Sequence, residues 1–417
     1  MSNTGTSSVP KFATTESSDS VVSSAKDGDE WGPSILTKAA RATNEAVARR
    51  KSVEEAKLVA IAAARAKADA DVKAFQTRGF GPHVQGSISE WLVENPDAKE
   101  INLSRRWDIT DNDLKQLGGF VAVNLSECRE ITDAGLVHLR NVKFLDISNC
   151  GMISDAGHVH LRNVHTLVLS FSGITDKGMS YLFNVQVLKM SYCHMVTDAG
   201  LMYLYNVKTL KMLYCKGIRG SGIKYLGAVQ DLALDYNDIT DTAFVCLLPN
   251  LTKLSIHCCK LITDAGLVHL GKVQELDISY CPLITDAGLV HLRNVWKLSM
   301  TFSKEITDAG LAHLRGVKEL VMDHCTEITD AGLAHIRDVQ VLNIDHCTNI
   351  TDAGLMHLRS VRVLNIVGCP RITDAGLVHL RSVRVRRVQD GYSYNYHMIG
   401  MFSMANPRKK TCTIYRG

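Results

Sequence analysis

The sequence predicts an α/β solenoid, with a parallel sheet on its concave face and short helical turns behind it. A disordered tail and a long Ala-rich helix precede that array. Three observations predict this class. A string resembling Ile-Thr-Asp-Ala-Gly-Leu begins at Ile109, Ile131, Ile153, Ile174, Val196, Ile218, Ile239, Ile262, Ile284, Ile306, Ile328, Ile350 and Ile372, with gaps of 21 to 23 residues. Each unit also carries core apolar residues two apart, such as Leu145 and Ile147, which is strand spacing with both side chains on one face. The Ile-x3-Gly-Leu-x2-Leu string that follows has helical spacing, and its apolar side faces the same interior. A single unit cannot bury its own apolar residues, so neighbours must stack around one continuous core.

The elements follow in order. Residues 1–33 are rich in Ser, Thr and Asp and poor in apolar side chains, which predicts a disordered tail. Residues 34–78 form an Ala-rich charged arm whose composition favours helix. Its apolar residues keep no strict heptad, so a solvated arm and a helix for self-association or docking through residues 34–76 both stay open. Gly79-Phe-Gly-Pro82 ends the arm, and residues 79–97 are read as a linker and N-terminal cap helix, with Ser87 or Ser89 as its cap and Trp91 over the open end. The solenoid of about 13 units covers residues 98–391, beginning with the core pair Ile101 and Leu103. Arg386 falls where a core Leu is expected, so the sheet is predicted to stop there. Residues 392–417 form a C-terminal cap and basic tail.

Composition excludes several classes. The chain has 417 residues, 46% apolar and 22% charged, and a formal charge of +4, too weak to argue for nucleic acid. No apolar run reaches the 18 or more residues of a membrane-spanning helix. The first thirty residues lack the apolar stretch of a signal peptide, so the chain is expected to be intracellular, in the cytoplasm, and not secreted. Twelve cysteines in such a chain are read as reduced thiols.

Residues kept at one position of a stacked unit become ladders. Cys128, Cys150, Cys193, Cys215, Cys259, Cys281, Cys325, Cys347 and Cys369 form one, with Ser172, Asn237 and Ser303 as substitutes; small and able to hydrogen-bond, they suit a buried corner after the strand. The Asp of each Thr-Asp-Ala-Gly, from Asp111 to Asp374, is read as the N-cap of its own helical turn. An outer ladder of His138, His160, His269, His291, His313, His335, His357 and His379 reads as ordinary surface. No ladder makes a metal site, and no cofactor is expected.

The ladder singled out for binding is Phe171, Tyr192, Tyr214, Tyr236, Tyr280, Phe302, His324 and His346, immediately before the Cys position. Strand alternation is expected to turn these side chains out onto the concave sheet, where exposed aromatic rows suit a protein interface. Strand positions on the same face vary from unit to unit (Lys189, Lys211, Lys253, Asp277, Lys297) while core positions repeat. The competing reading is that ring stacking only stiffens the sheet.

The Leu-x2-Leu-x-Leu-x2-Cys-x2-Ile-Thr-Asp-x-Gly-Leu string resembles the cysteine-containing subclass of leucine-rich repeats, familiar from F-box/leucine-rich-repeat proteins, over residues 98–391. The 22-residue unit is shorter than that subclass usually shows. The resemblance implies a substrate receptor of a cullin-based ubiquitin ligase as an alternative function. That role needs an F-box, and residues 34–82 lack its Leu-Pro opening and apolar helices, so none of its residues carries over. The sequence has no phosphate loop, His-Glu-x-x-His, Gly-x-Ser-x-Gly or paired Cys-x2-Cys. Asp323-His324-Cys325 and Asp345-His346-Cys347 imitate a catalytic string, but Cys is expected inside and His outside. The expectation is a non-enzymatic scaffold that binds a protein partner of unknown identity on its concave aromatic face.

Overall fold

The computed structural model describes residues 79–246, 248–378 and 380, and the backbone of 384–386. The tail 1–33, the arm 34–78 and the segment 392–417 lie outside the described residues, as does His379. A single parallel sheet runs in chain order. Its strands are β1 (Glu100–Asn102), β2 (Ala122–Asn124), β3 (Phe144–Asp146), β4 (Thr166–Val168), β5 (Val187–Lys189), β6 (Thr209–Lys211) and β7 (Asp231–Ala233). They continue as β8 (Lys253–Ser255), β9 (Glu275–Asp277), β10 (Lys297–Ser299), β11 (Glu319–Val321), β12 (Val341–Asn343), β13 (Val363–Asn365) and β14 (Arg384–Arg386).

Register follows the repeat: Leu145 lies opposite Leu167, and Leu298 opposite Leu320. Each central Leu and the apolar residue two positions later point inward; Leu145 is 0% and Ile147 3% exposed. Such a side chain contributes about 1.5–3 kcal/mol when fully buried, and one contiguous cluster runs from Val84 to Leu380. The last described strand, β14, ends at Arg386, but the premise that Arg386 takes the core Leu position is corrected. Its register is offset by one, so Val385 stands opposite Leu364 and Arg386 opposite Asn365. The spacing from Leu364 to Val385 is 21 residues rather than 22.

The N-terminal end is closed by helix α1 (Ile88–Glu94). Ser87 Oγ accepts the Glu90 N–H, and the Trp91 ring lies 6.4 Å from that of Phe120.

The cysteine column is a set of inter-unit clamps. Cys128 Sγ donates to the Leu103 carbonyl of the preceding unit at 3.1 Å, and Cys325 Sγ to that of Met300 at 3.2 Å. Asn237 Nδ2 makes the same bond to Met212 at 2.7 Å, which explains the substitution. Burial pushes the thiols of Cys128 and Cys215 up to about 11 and those of Cys193 and Cys281 up to about 12. Only Cys246 and Cys258 among the described cysteines are partly exposed. At pH 8 in native buffer these two should react with a thiol reagent within minutes, while the column reacts only after denaturation. Fast labelling of Cys325 in native protein would refute the inward placement.

The Asp ladder does something other than expected. The N-cap is the Thr: Thr329 Oγ1 accepts the Ala331 N–H. The Asp reaches the next unit instead, where Asp308 accepts from Thr329 N at 2.8 Å and Thr329 Oγ1 at 2.6 Å. The same pair of bonds links Asp111 to Thr132, Asp264 to Thr285 and Asp352 to Thr373. A Thr hydroxyl both accepts and donates, so it serves its own helix and the preceding carboxylate together. Glycine leaves room for this carboxylate: a Cβ on Gly332 would overlap Asp308 Oδ1 and lie 3.0 Å from Leu311 Cδ1. Thr, Asp and Gly therefore form one device for joining units.

Candidate interaction surface

The site is assembled by the turn that follows each strand. The residue after the second core position keeps the ladder going, and the next residue enters the left-handed region. Phe171, Tyr192, Tyr214, Tyr236, Tyr280, Phe302, His324 and His346 all have φ between 55° and 60° except Tyr214 at 54°. Strand alternation is thus not what turns these side chains outward: they lie beyond the strands, in a left-handed turn. Their N–H groups still pair with the next unit, as Tyr192 N donates to the Leu213 carbonyl at 2.8 Å.

The structure brings all eight into one column. Ring centroids are 4.6 Å apart for Phe171–Tyr192, 4.7 Å for Tyr192–Tyr214 and 4.2 Å for Tyr214–Tyr236, with planes within 20°. Tyr280–Phe302, Phe302–His324 and His324–His346 stack at 4.5, 4.2 and 4.3 Å. Those separations follow from the parallel-strand spacing of about 4.8 Å. The column is broken at Cys258, which holds the same turn at φ 57°. His257 bridges the gap, 5.1 Å from both Tyr236 and Tyr280 in edge contacts, with its Nε2 3.1 Å from the Tyr236 hydroxyl. Sequence reasoning missed His257; an imidazole beside the one thiol in an aromatic column was the available signal. Gly368 ends the column, and a side chain there would collide with the His346 ring.

The inner rings are half-buried, while Phe171 and His346 at the two ends of the column are exposed. Burial raises the Tyr214 and Tyr236 hydroxyls above the ordinary phenol range. Burial, then the neighbouring His346, lowers the His324 pKa below its ordinary value. Beside the column stand the carboxylates of Asp235, Asp323 and Asp345, each one residue before a ring. Burial and then Asp345 push Asp323 up to about 7; burial pushes Asp235 up to about 6 even though Ser255 Oγ donates to it at 2.5 Å. His346 Nδ1 is 3.1 Å from Asp345.

Energetics separate the column from the fold's needs. A left-handed non-glycine residue costs about 1–2 kcal/mol, and an aromatic pair returns about 0.5–1.5 kcal/mol. The two nearly cancel. Arg105, Glu127 and Asn149 occupy the equivalent turn at φ 56° to 64° with no ring, so the solenoid accepts non-aromatic residues there.

The catalytic imitation is dismantled by geometry. Cys325 Sγ and Cys347 Sγ point into the core toward carbonyls of the preceding unit, while His324 and His346 lie in the outer column. Among the described residues no three His, Cys, Asp or Glu side chains converge as metal ligands, and no helix is long and apolar enough to cross a membrane.

Sequence and structure comparisons agree on the architecture. The family model described as Leucine Rich repeat matches residues 138–158, 160–183, 181–204, 247–271, 272–292 and 357–380. Among curated proteins none matches this sequence. An internalin (inlF) from Listeria monocytogenes is similar in structure at a TM-score of 0.52 and 20% identity, over 68% of this chain and 90% of that one. TLR13, solved as a complex with ssRNA13, is similar at 0.50 and 19% over 64% of this chain and 42% of that one. Rad7, solved with Elc1 in yeast, has a TM-score of 0.46 and 16% identity over 86% of this chain and 98% of that one. The buried cysteine column is consistent with the cysteine-containing subclass. Repeat, register and matches together show that the chain carries leucine-rich repeats stacked in one parallel sheet.

Proposed function

We propose that the protein is a non-enzymatic interaction scaffold whose aromatic column, from Phe171 to His346, receives a protein partner along the concave rim. The observation that carries this reading is the placing of rings at a turn where Arg105, Glu127 and Asn149 adopt the same left-handed backbone without a ring. A row of half-buried rings offers large contact area with few rotatable bonds, and such residues dominate binding energy. The variable strand residues beside them, Lys211, Lys253, Asp277 and Lys297, would set partner choice. Eleven described cysteines are free thiols, in keeping with a reducing intracellular setting.

The test replaces Tyr192, Tyr214, Tyr236 and Tyr280 by Asn, the residue that Asn149 already supplies at this turn. Peptides selected from a display library on the intact chain should bind the variant at least tenfold more weakly, while its melting temperature stays within a few degrees. Equal affinity for the variant would make the column a stiffener. The ubiquitin-ligase alternative rests on the resemblance alone, and co-purification of a cullin adaptor with the intact chain is its check.

A further inference from the structure

Charges at the start of β7 to β11 are balanced by the sheet itself. Asp231, Lys253, Glu275, Lys297 and Glu319 alternate in sign, each directly opposite the next. Lys253 Nζ reaches Glu275 at 2.6 Å, and Lys297 Nζ reaches Glu319 at 2.9 Å. Two lysines break this order. Lys189, the last residue of β5, stands opposite Lys211, the last residue of β6. Their outer partners in register are uncharged, Val168 on one side and Ala233 on the other.

Among the described residues neither of these ammonium groups makes a hydrogen bond or an ion pair. Like charges on strands about 4.8 Å apart repel. Burial, and then Lys211, lower the Lys189 pKa, while Asp146 and Asp231 oppose the shift without pairing with it. Leu188 and Met190 are buried in the core, so Lys189 between them faces the concave side. Ser191 and Tyr192 follow it, and Tyr214 stands three residues after Lys211. Ser170 Oγ accepts the Ser191 N–H at 3.1 Å, which leaves its own proton to donate. Ammonium, hydroxyl and ring edge thus lie within about 10 Å of extended chain.

We propose that Lys189 and Lys211 seat an acidic side chain of the protein partner, with its carboxylate between the two ammonium groups and the flanking peptide against the edges of Tyr192 and Tyr214. The choice of occupant comes from the face itself. Lys253 and Lys297 receive a carboxylate from the following unit, whereas the units around Lys189 and Lys211 offer Val168 and Ala233. A bound carboxylate accepts charge-assisted hydrogen bonds from both lysines and removes their repulsion. This inference rests on the reading of the aromatic column as a partner surface and adds the chemistry of what it selects.

The test uses the full chain and a random peptide display library. Peptides selected on the intact chain should carry Asp or Glu at least threefold more often than the unselected library. The best of them should bind a Lys189→Gln/Lys211→Gln variant at least tenfold more weakly. Changing the peptide's acidic residue to its amide should cost a similar factor on the intact chain and less than twofold on that variant. A Lys177→Gln/Lys224→Gln variant, which removes the same charge from two helical turns, should stay within twofold of the intact chain. Peptides without an acidic excess, or with equal affinity for the Lys189→Gln/Lys211→Gln variant, overturn the proposal. If such peptides are nonetheless lost on the chain with Tyr192, Tyr214, Tyr236 and Tyr280 replaced by Asn, the aromatic reading survives its failure. Affinity unchanged on both variants, or a library that yields no binder, overturns both. Oligothymidylate bound more tightly than the peptides, and lost with the two lysines, assigns them to phosphates and overturns the proposal as well.

Discussion

Replacing Gly332 by Ala will destabilise the protein by about 2–4 kcal/mol, although an alanine in a helix ordinarily improves on glycine by about 1 kcal/mol. The sign is reversed by the preceding unit. Gly332 is buried, and a methyl there would occupy the space of Asp308 Oδ1 while pressing on Leu311 Cδ1. Moving the carboxylate breaks both its bonds to Thr329. Hydrogen bonds to a charged group contribute about 1.5–3 kcal/mol each, and overpacking adds about 1–3 kcal/mol where the structure cannot relax. Partial exposure of Asp308 and Thr329 brings the sum down to the stated range. The check is a double-mutant cycle by urea unfolding. With Asp308→Ala already present, Gly332→Ala should become neutral or stabilising. A stabilising effect in the otherwise unchanged protein would remove the Thr–Asp–Gly device from the account of unit joining.

The largest stabilising change expected is His158→Leu. His158 is fully buried where other units place Leu136, Met179, Leu267 and Leu289 in the core. Its Nδ1 is 2.8 Å from the Ser154 carbonyl. A carbonyl only accepts, so Nδ1 carries the hydrogen and Nε2 is left as a buried acceptor with no partner. An unsatisfied buried polar group costs about 1–3 kcal/mol, and leucine removes it while matching the neighbouring units.

The same residue sets a pH dependence. Burial lowers the His158 pKa below its ordinary value of 6.5. The unfolded chain therefore takes up a proton that the folded chain resists. Stability is lost as pH falls through 6.5, and the loss levels off below the folded value. Unfolding midpoints of native and His158→Leu protein measured from pH 8 to pH 5 should diverge on the acid side. Asp235 and Asp323, raised to about 6 and about 7, act in the opposite sense but equally in both proteins, so the difference isolates His158. Parallel curves would show that the imidazole is satisfied or accessible in solution.

Much of the aromatic site was legible because it is periodic. Eight of its rings share one offset, immediately before the column position held by Cys or by its substitutes Ser172, Asn237 and Ser303, and stacking at strand spacing follows from that alone. The reason for their outward direction was not legible. Alternation along a strand and a left-handed turn after it both place a side chain outside, and only φ values near 57° distinguish them. His257 stayed hidden because it occupies a different offset and enters the column only where Cys258 leaves a gap.

What the sequence by itself determined is whatever depends on the period: the solenoid, the strand and core positions, the inward cysteines and the ring column. The tertiary structure decided which unit each contact joins. Asp308 stands one residue after Thr307 and 21 residues before Thr329, yet it bonds Thr329, a full unit away. In a periodic chain the partner within a unit and the partner in the next unit are the same residue type at the same offset. Sequence pattern cannot separate them, and only the stacking distance does. The small cluster of Ala122, Phe144 and Val187 was illegible for a related reason: these look like any variable strand residue until Phe80, from outside the repeat, is seen to pack against them.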